Sequence, residues 1–144
     1  MKKLAIALAL VAAFAVAASA QMDQYVLESS SITTNVGTDS VVLAGEIYSI
    51  YLDSPASKTN GVAIKDSLGN TVLSVAALTA DGLYYPVTPR HSTAGAALTI
   101  VDNGSNTNAV YGPIAVVSTL TMTVTPDAGT TGTNTTKAYI TFKK

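Results

Sequence analysis

One histidine, His91, is the sole imidazole in the chain, and it precedes Ser92 and Thr93 in a segment that reads as a loop. Nucleophilic catalysis of the triad type needs a nucleophile, a base and an orienting acid brought together. No Gly-x-Ser-x-Gly elbow accompanies this histidine. His91 therefore reads as a turn or surface residue. A single imidazole without any cysteine also falls short of the several ligands that zinc requires. The run Asp102-Asn103-Gly104-Ser105-Asn106 offers oxygen donors but lacks the ordered acids and terminal glutamate of an EF-hand, so it reads as a turn. Asp53, Asp66 and Asp81 fall at predicted strand ends, where aspartate commonly bonds local backbone, and their spacing does not mark a glycosidase pair. Asn103-Gly104-Ser105 and Asn134-Thr135-Thr136 match the glycosylation sequon, a pattern that arises readily by chance in a threonine-rich chain. These residues imply a protein that is not an enzyme and that uses no catalytic residue, metal or cofactor.

The tyrosines offer a different chemistry. Tyr48 with Tyr51, and Tyr84-Tyr85 with Arg90, could form an exposed aromatic platform that stacks sugars or anchors a protein partner. The plainer alternative is that one tyrosine of each pair enters the core while the other covers an edge, because aromatic residues are ordinary strand formers. Tyr48, Tyr51, Tyr84, Tyr85 and Arg90 are the candidate partner-contact residues.

The elements that must position them begin after an export-type segment. Met1-Lys2-Lys3 is a short basic start, Leu4 to Val16 is an unbroken apolar run, and Ala18-Ser19-Ala20 places small residues where a signal peptidase reads. The apolar stretch is shorter than the ~20 residues that span a bilayer, so residues 1–20 read as a cleaved signal peptide or a retained apolar helix. Their membrane contact is transient. Without them the chain keeps six basic and nine acidic residues, a net charge of −3, and the basic residues are scattered. Phosphate neutralisation needs clustered Lys and Arg, so this balance argues against a nucleic-acid partner. The absence of cysteine excludes a disulfide scaffold.

The remainder is rich in Thr, Ser, Val, Ile and Tyr, which favour pleated strands because β-branched side chains lose rotamer freedom in helices. Ser118 to Pro126 alternates Leu120, Met122 and Val124 with Thr119, Thr121, Thr123 and Thr125, so one face is buried and the other wet. Thr135 to Lys143 repeats the pattern, with Ala138, Ile140 and Phe142 opposite Lys137, Tyr139 and Thr141. The loop from Asp127 to Gly132 between them suits a hairpin, so these two strands are expected to pair. Gly45 to Asp53 reads as a central strand with Tyr48, Ile50 and Leu52 on one face and Ile47 and Tyr51 on the other. Val62 to Asp66 and Thr71 to Val75 flank Ser67-Leu68-Gly69-Asn70, where Gly69 can take the positive φ of a bulged hairpin. Leu83 to Val87 is an aromatic edge strand limited by Pro86 and Pro89, and Ala97 to Val101 and Val110 to Val117 are further strands. The expected fold is all-β: an antiparallel β-sandwich or Greek-key barrel of about seven to eight short strands at 41–144. An N-terminal strand or arm at 21–40 and an apolar helix at 1–20 precede it.

From about Val42 to the end, an ordered set of segments carries a resemblance. The set runs Ala44-Gly45-Glu46-Ile47-Tyr48, Val62-Ala63-Ile64-Lys65-Asp66, Gly69-Asn70-Thr71-Val72-Leu73 and Leu83-Tyr84-Tyr85-Pro86. It continues through Arg90-His91-Ser92-Thr93-Ala94-Gly95-Ala96-Ala97 and Tyr111-Gly112-Pro113-Ile114 to Leu120-Thr121-Met122-Thr123-Val124. In this order the chain resembles a family of small tailed-phage structural proteins, virion or capsid-associated and β-rich. The resemblance implies a non-enzymatic part of a phage particle, a capsid decoration or minor head protein that binds other virion proteins or copies of itself. It brings no catalytic residues. The export-type segment lies outside that pattern and supports a second expectation, a secreted bacterial cell-surface module, periplasmic or extracellular, that binds carbohydrate or an envelope partner.

Overall fold

The computed structural model describes residues 22–32, 35–54, 59–89, 99–101, 107–109, 111–127 and 133–144. The segment 1–20 with its expected helix, Arg90, His91 and the loop at 102–106 lie outside the described residues. Among the described residues the chain is all-β. Its strands are β1 (Met22–Ile32), β2 (Gly37–Asp53), β3 (Asn60–Asp66), β4 (Thr71–Leu78), β5 (Gly82–Tyr84), β6 (Val87–Pro89), β7 (Thr99–Val101), β8 (Thr107–Ala109), β9 (Tyr111–Pro126) and β10 (Thr133–Lys143). The main sheet is antiparallel and runs β1-β10-β2-β9-β3-β4, with β5 added to β2 and β6 to β9, while β7 and β8 form a separate two-stranded ribbon.

Two expected strands, Val110 to Val117 and Ser118 to Pro126, are one long strand, β9, and Gly45 to Asp53 is the second half of β2. The expected pairing of the last two strands is not formed. β2 lies between them, bonding β9 from Gly37 to Ile47 on one edge and β10 from Glu46 to Asp53 on the other. β9 and β10 therefore lie on opposite edges of β2. Period-two patterning fixes which face of each strand is buried but leaves the identity of the neighbour open.

The buried set is what the alternation requires. Leu120, Met122 and Val124 of β9 and Ala138, Ile140 and Phe142 of β10 are buried, together with Leu27, Leu43, Ile47, Ile50, Leu52, Val62 and Ile64. The sheet curls to enclose them, since β1 packs against β2 and β9 as well as its ladder neighbour β10. At that seam the Glu28 N–H donates to Asp39 Oδ2 at 2.8 Å, and the Ser40 N–H donates to Oδ1 at 2.8 Å.

In β2, Ser49 lies opposite Thr141 but Ile47 lies opposite Phe142, so Tyr48 is an extra residue in a β-bulge. The bulge reverses the alternation. Ile47 and Ile50 both enter the core, and Tyr48 and Tyr51 both face outward, whereas unbroken alternation would place Tyr48 with Ile50. Gly45 stands just before this bulge. A Cβ at Gly45 would collide with the Lys143 carbonyl oxygen and come within 2.9 Å of the Phe142 ring, so the approach of β10 to β2 depends on glycine there.

The β3–β4 connection follows the sequence closely. Gly69 has φ +86°, its N–H donates to the Asp66 carbonyl at 3.0 Å, and the Asp66 N–H donates to the Asn70 carbonyl at 3.0 Å. The Asp66 carboxylate accepts from the Leu68 N–H (2.9 Å), the Asn70 N–H (2.8 Å) and Asn70 Nδ2 (2.8 Å).

One end of the core is polar. Ser29, Asn60, Asn134 and Thr136 are buried there. Asn134 Nδ2 donates to Asn60 Oδ1 at 3.3 Å, and Asn60 Nδ2 donates to Thr136 Oγ1 at 3.5 Å. The sequon asparagine Asn134 is thus enclosed and not presented to a glycosylating enzyme.

Candidate functional site

The outward tyrosines lead to a row that crosses four strands. On β1, β10, β2 and β5, Val26 lies opposite Tyr139, Tyr139 opposite Tyr51, and Tyr51 opposite Leu83. Directly opposed residues share a face, so these four side chains stand in line on the solvent side of the sheet. Val26, Tyr51 and Leu83 are 49%, 38% and 53% exposed, and Tyr139 is half-buried between its neighbours. The Tyr51 and Tyr139 rings lie 5.9 Å apart at 47°.

Polar residues border the row on both sides. One flank carries Glu28, Lys137 and Asp53 in register, with Lys137 Nζ 3.1 Å from the Glu28 carboxylate. The other carries Gln24, Thr141 and Ser49. Asp81, from the turn before β5, ties the row down: it accepts from the Tyr51 hydroxyl at 2.9 Å and from the Ser54 N–H at 2.9 Å. The Ser54 amide, followed by the Tyr51 hydroxyl, holds the Asp81 carboxyl below the usual carboxylate range. The hydrogen bond to Asp81 raises the Tyr51 phenol, with partial burial and the charges of Asp81 and Asp53 acting in the same direction. The bond to Glu28 likewise raises the Lys137 ammonium. The tyrosine hydroxyl is therefore a fixed donor at neutral pH.

Of the five candidate residues, only Tyr51 belongs to this row. Tyr48 faces outward from the bulge of the same strand. Tyr84 pairs with Ile50 and packs against the core, whereas Tyr85 is 67% exposed beyond the end of β5. That pair thus divides into an inward and an outward ring. Arg90 lies outside the described residues. Tyr139, Val26 and Leu83 were not singled out from the sequence, because they join Tyr51 only through strand register.

A concavity lies along β9 between the β3–β4 turn and β6, lined by Asp66, Val72, Thr88, Pro113 and Val116. Its acid is Asp66, whose carboxyl is pulled below its ordinary value by the Asn70 side chain and the turn amides. That carboxylate holds the turn and is poorly placed for proton transfer. Among the described residues there is no group of three or more His, Cys, Asp or Glu side chains able to hold a metal ion. The tyrosine row offers adhesion: apolar and aromatic area inside a polar, partly charged border.

No family model matches the chain, and no curated protein matches it. Among solved structures the chain is similar to a protein in the acidic stable capsid structure of Helicobacter pylori bacteriophage KHP30. That likeness is at 10% identity and a TM-score of 0.41, and it covers 88% of this chain and 94% of the other.

Proposed function

We propose that this protein is a non-enzymatic structural component of a phage particle, a capsid decoration or minor head protein, and that its β-sandwich docks on a protein lattice through the tyrosine row. The observation that carries the reading is the continuous line Val26–Tyr139–Tyr51–Leu83, which crosses four strands on the solvent side and is bordered by polar residues. Interfaces combine an apolar, aromatic centre with a polar rim, and tyrosine supplies rigid amphipathic area at low entropic cost. The resemblance of the segments from Val42 onward to small phage structural proteins agrees with this use.

Among the sheet edges, β5 and β6 have three residues each, and the β4 ladder with β3 is interrupted by two register shifts, features that blunt strand addition. The β1 edge is longer, eleven residues in unbroken register with β10, and Asp39 covers its Glu28 amide. Mass spectrometry of purified particles from the source should find the chain in many copies per particle, and Tyr51→Ala with Tyr139→Ala should remove it. Particles that lack the chain would refute the reading.

A second reading keeps the same face and changes the surface it meets. The basic start, apolar run and Ala18-Ser19-Ala20 of the N-terminus favour a secreted bacterial module that binds carbohydrate or an envelope partner. Recovery from the envelope fraction, or binding on a glycan array that Tyr51→Ala abolishes, would favour it over the particle.

A further inference from the structure

The polar end of the core is built as a layer. Leu27, Ala138 and Leu52 lie in register across β1, β10 and β2 and are buried. Two residues further along each strand, Ser29 lies opposite Thr136, and Ser54 follows the Asp53–Lys137 pair on the same buried side. Asn60 of β3 and Asn134 of β10 complete the layer: Asn60 Nδ2 donates to Thr136 Oγ1, and Asn134 Nδ2 donates to Asn60 Oδ1. Every buried polar side chain among the described residues belongs to this set, and Ser54, at 8%, is the most exposed of them.

Their hydrogen bonds do not close among themselves. Ser29 Oγ, Ser54 Oγ and Asn134 Oδ1 are enclosed without a partner among the described residues. The two bonds that join the layer are long, 3.3 and 3.5 Å, against about 2.9 Å for an ordinary one. An enclosed oxygen without a partner forfeits the bonds that it makes to water in the unfolded chain, and folded proteins seldom leave such a debt standing. The side chains also shrink toward this end, from Ile50 and Leu52 to Ser54 on β2 and from Phe142 and Ile140 to Ala138 and Thr136 on β10, which leaves room beside the orphaned oxygens.

We infer that this layer is a binding site for enclosed water. All five side chains are neutral, so an ion would lie there without a counter-charge, a costly burial. The guest must donate to Asn134 Oδ1, which only accepts, and must also meet serine hydroxyls, which do both; water satisfies each demand. Ser29 and Asn134 are diagonal neighbours across β1 and β10, within reach of one bridging molecule. Ser54 lies two strands from Ser29, about 10 Å across the sheet, beyond the ~6 Å that a single water can bridge, so it needs a second. That second water stands one position past the last ladder pair of β10 with β2, Lys137–Asp53, and extends their join beyond it. The inference is independent of the particle reading, because water is held or not held in purified protein.

Magnetic relaxation dispersion of water oxygen, recorded on the full chain, tests it by counting waters held for longer than the protein tumbles, without interference from hydroxyl exchange. The wild type should hold about two in this layer, and Ser29→Ala and Ser54→Ala should each lose about one relative to it, the double variant losing both. Heteronuclear spectra establish that each variant is folded, and a high-resolution crystal structure of the wild type supplies a check that needs no variant: density about 3 Å from Ser29 Oγ, Asn134 Oδ1 and Ser54 Oγ. A dispersion of equal amplitude in wild type and double variant, or a crystal structure in which the three oxygens bond one another directly, would overturn the inference. So would a thermal midpoint that rises with sodium or potassium chloride but not with choline chloride, since an ion would then hold the site.

Discussion

The main-chain N–H of Glu28 and the carboxylate of Asp39 meet at 2.8 Å, joining β1 to the first half of β2 where no ladder connects them. An amide on the outer edge of a strand would otherwise be solvated or open to a foreign strand, and here a side chain from two ladder positions away occupies it. Asp39→Ala removes this bond and the one from the Ser40 N–H, and should lower stability by about 1–2 kcal/mol. Hydrogen exchange supplies the specific readout: the Glu28 amide should lose protection while the Ile140 amide in the middle of β10 keeps its own.

Gly45 and Gly69 should respond to alanine for different reasons. At Gly45 the added methyl strikes the Lys143 carbonyl and the Phe142 ring, so β10 must move away from β2, and overpacking of this sort costs roughly 1–3 kcal/mol or more. At Gly69 the space is open and the penalty is that of the left-handed backbone alone, about 1–2 kcal/mol. Urea denaturation should rank Gly45→Ala as the more damaging. Its heteronuclear spectrum should shift along Glu46, Phe142 and Lys143, while that of Gly69→Ala changes only around the turn.

Stability should fall at both ends of the pH scale. The carboxyls of Asp66 and Asp81 titrate lower in the fold than in the unfolded chain, so their contribution is complete above about pH 4 and is lost as pH falls through the lowered values. The Tyr51 phenol and the Lys137 and Lys144 ammonium groups titrate higher in the fold. Their contribution is complete below about pH 10 and is lost as pH rises through the raised values. Thermal midpoints should therefore form a plateau between these limits. Tyr51→Phe should reduce the alkaline slope without erasing it, since the two lysines remain, and should shrink the part of the acid slope that Asp81 owes to the lost hydroxyl.

Asn134 should prove to be a structural residue. Its removal by Asn134→Ala deprives Asn60 Oδ1 of its donor inside a fully enclosed site, which costs roughly 1–3 kcal/mol. If the chain is passed through a eukaryotic secretory pathway, intact-mass measurement should show Asn134 unmodified. Chemical denaturation and mass spectrometry check the two statements separately.

Much of the fold was legible because threonine and apolar residues alternate so regularly around Met122 and Ile140, and because the Asp66–Asn70 turn announces itself through Gly69 and a carboxylate placed to bind its own amides. The bulge at Tyr48 was not legible. Nothing in the run from Gly45 to Asp53 marks one residue as extra, and the choice is settled by how Phe142 and Thr141 align on the neighbouring strand. The neighbour of β10 was not legible for a related reason: the loop from Asp127 suits a hairpin locally, but the second half of β2 takes that place in the sheet. The tyrosine row was hidden still more deeply. Its members come from positions 26, 51, 83 and 139, and no local pattern joins them until register is known.

Strand β2 runs as one element from the outer face that it shares with β9, where it contributes the exposed Val42, to the tyrosine row, where it contributes Tyr51. Tension applied between whatever grips those two surfaces would thus travel down nine residues of covalent backbone instead of through side-chain packing. Such a protein would behave as a tie rod: an already extended strand carries the pull along its length, and the ladders on either flank of β2 lie beside the load path and not across it.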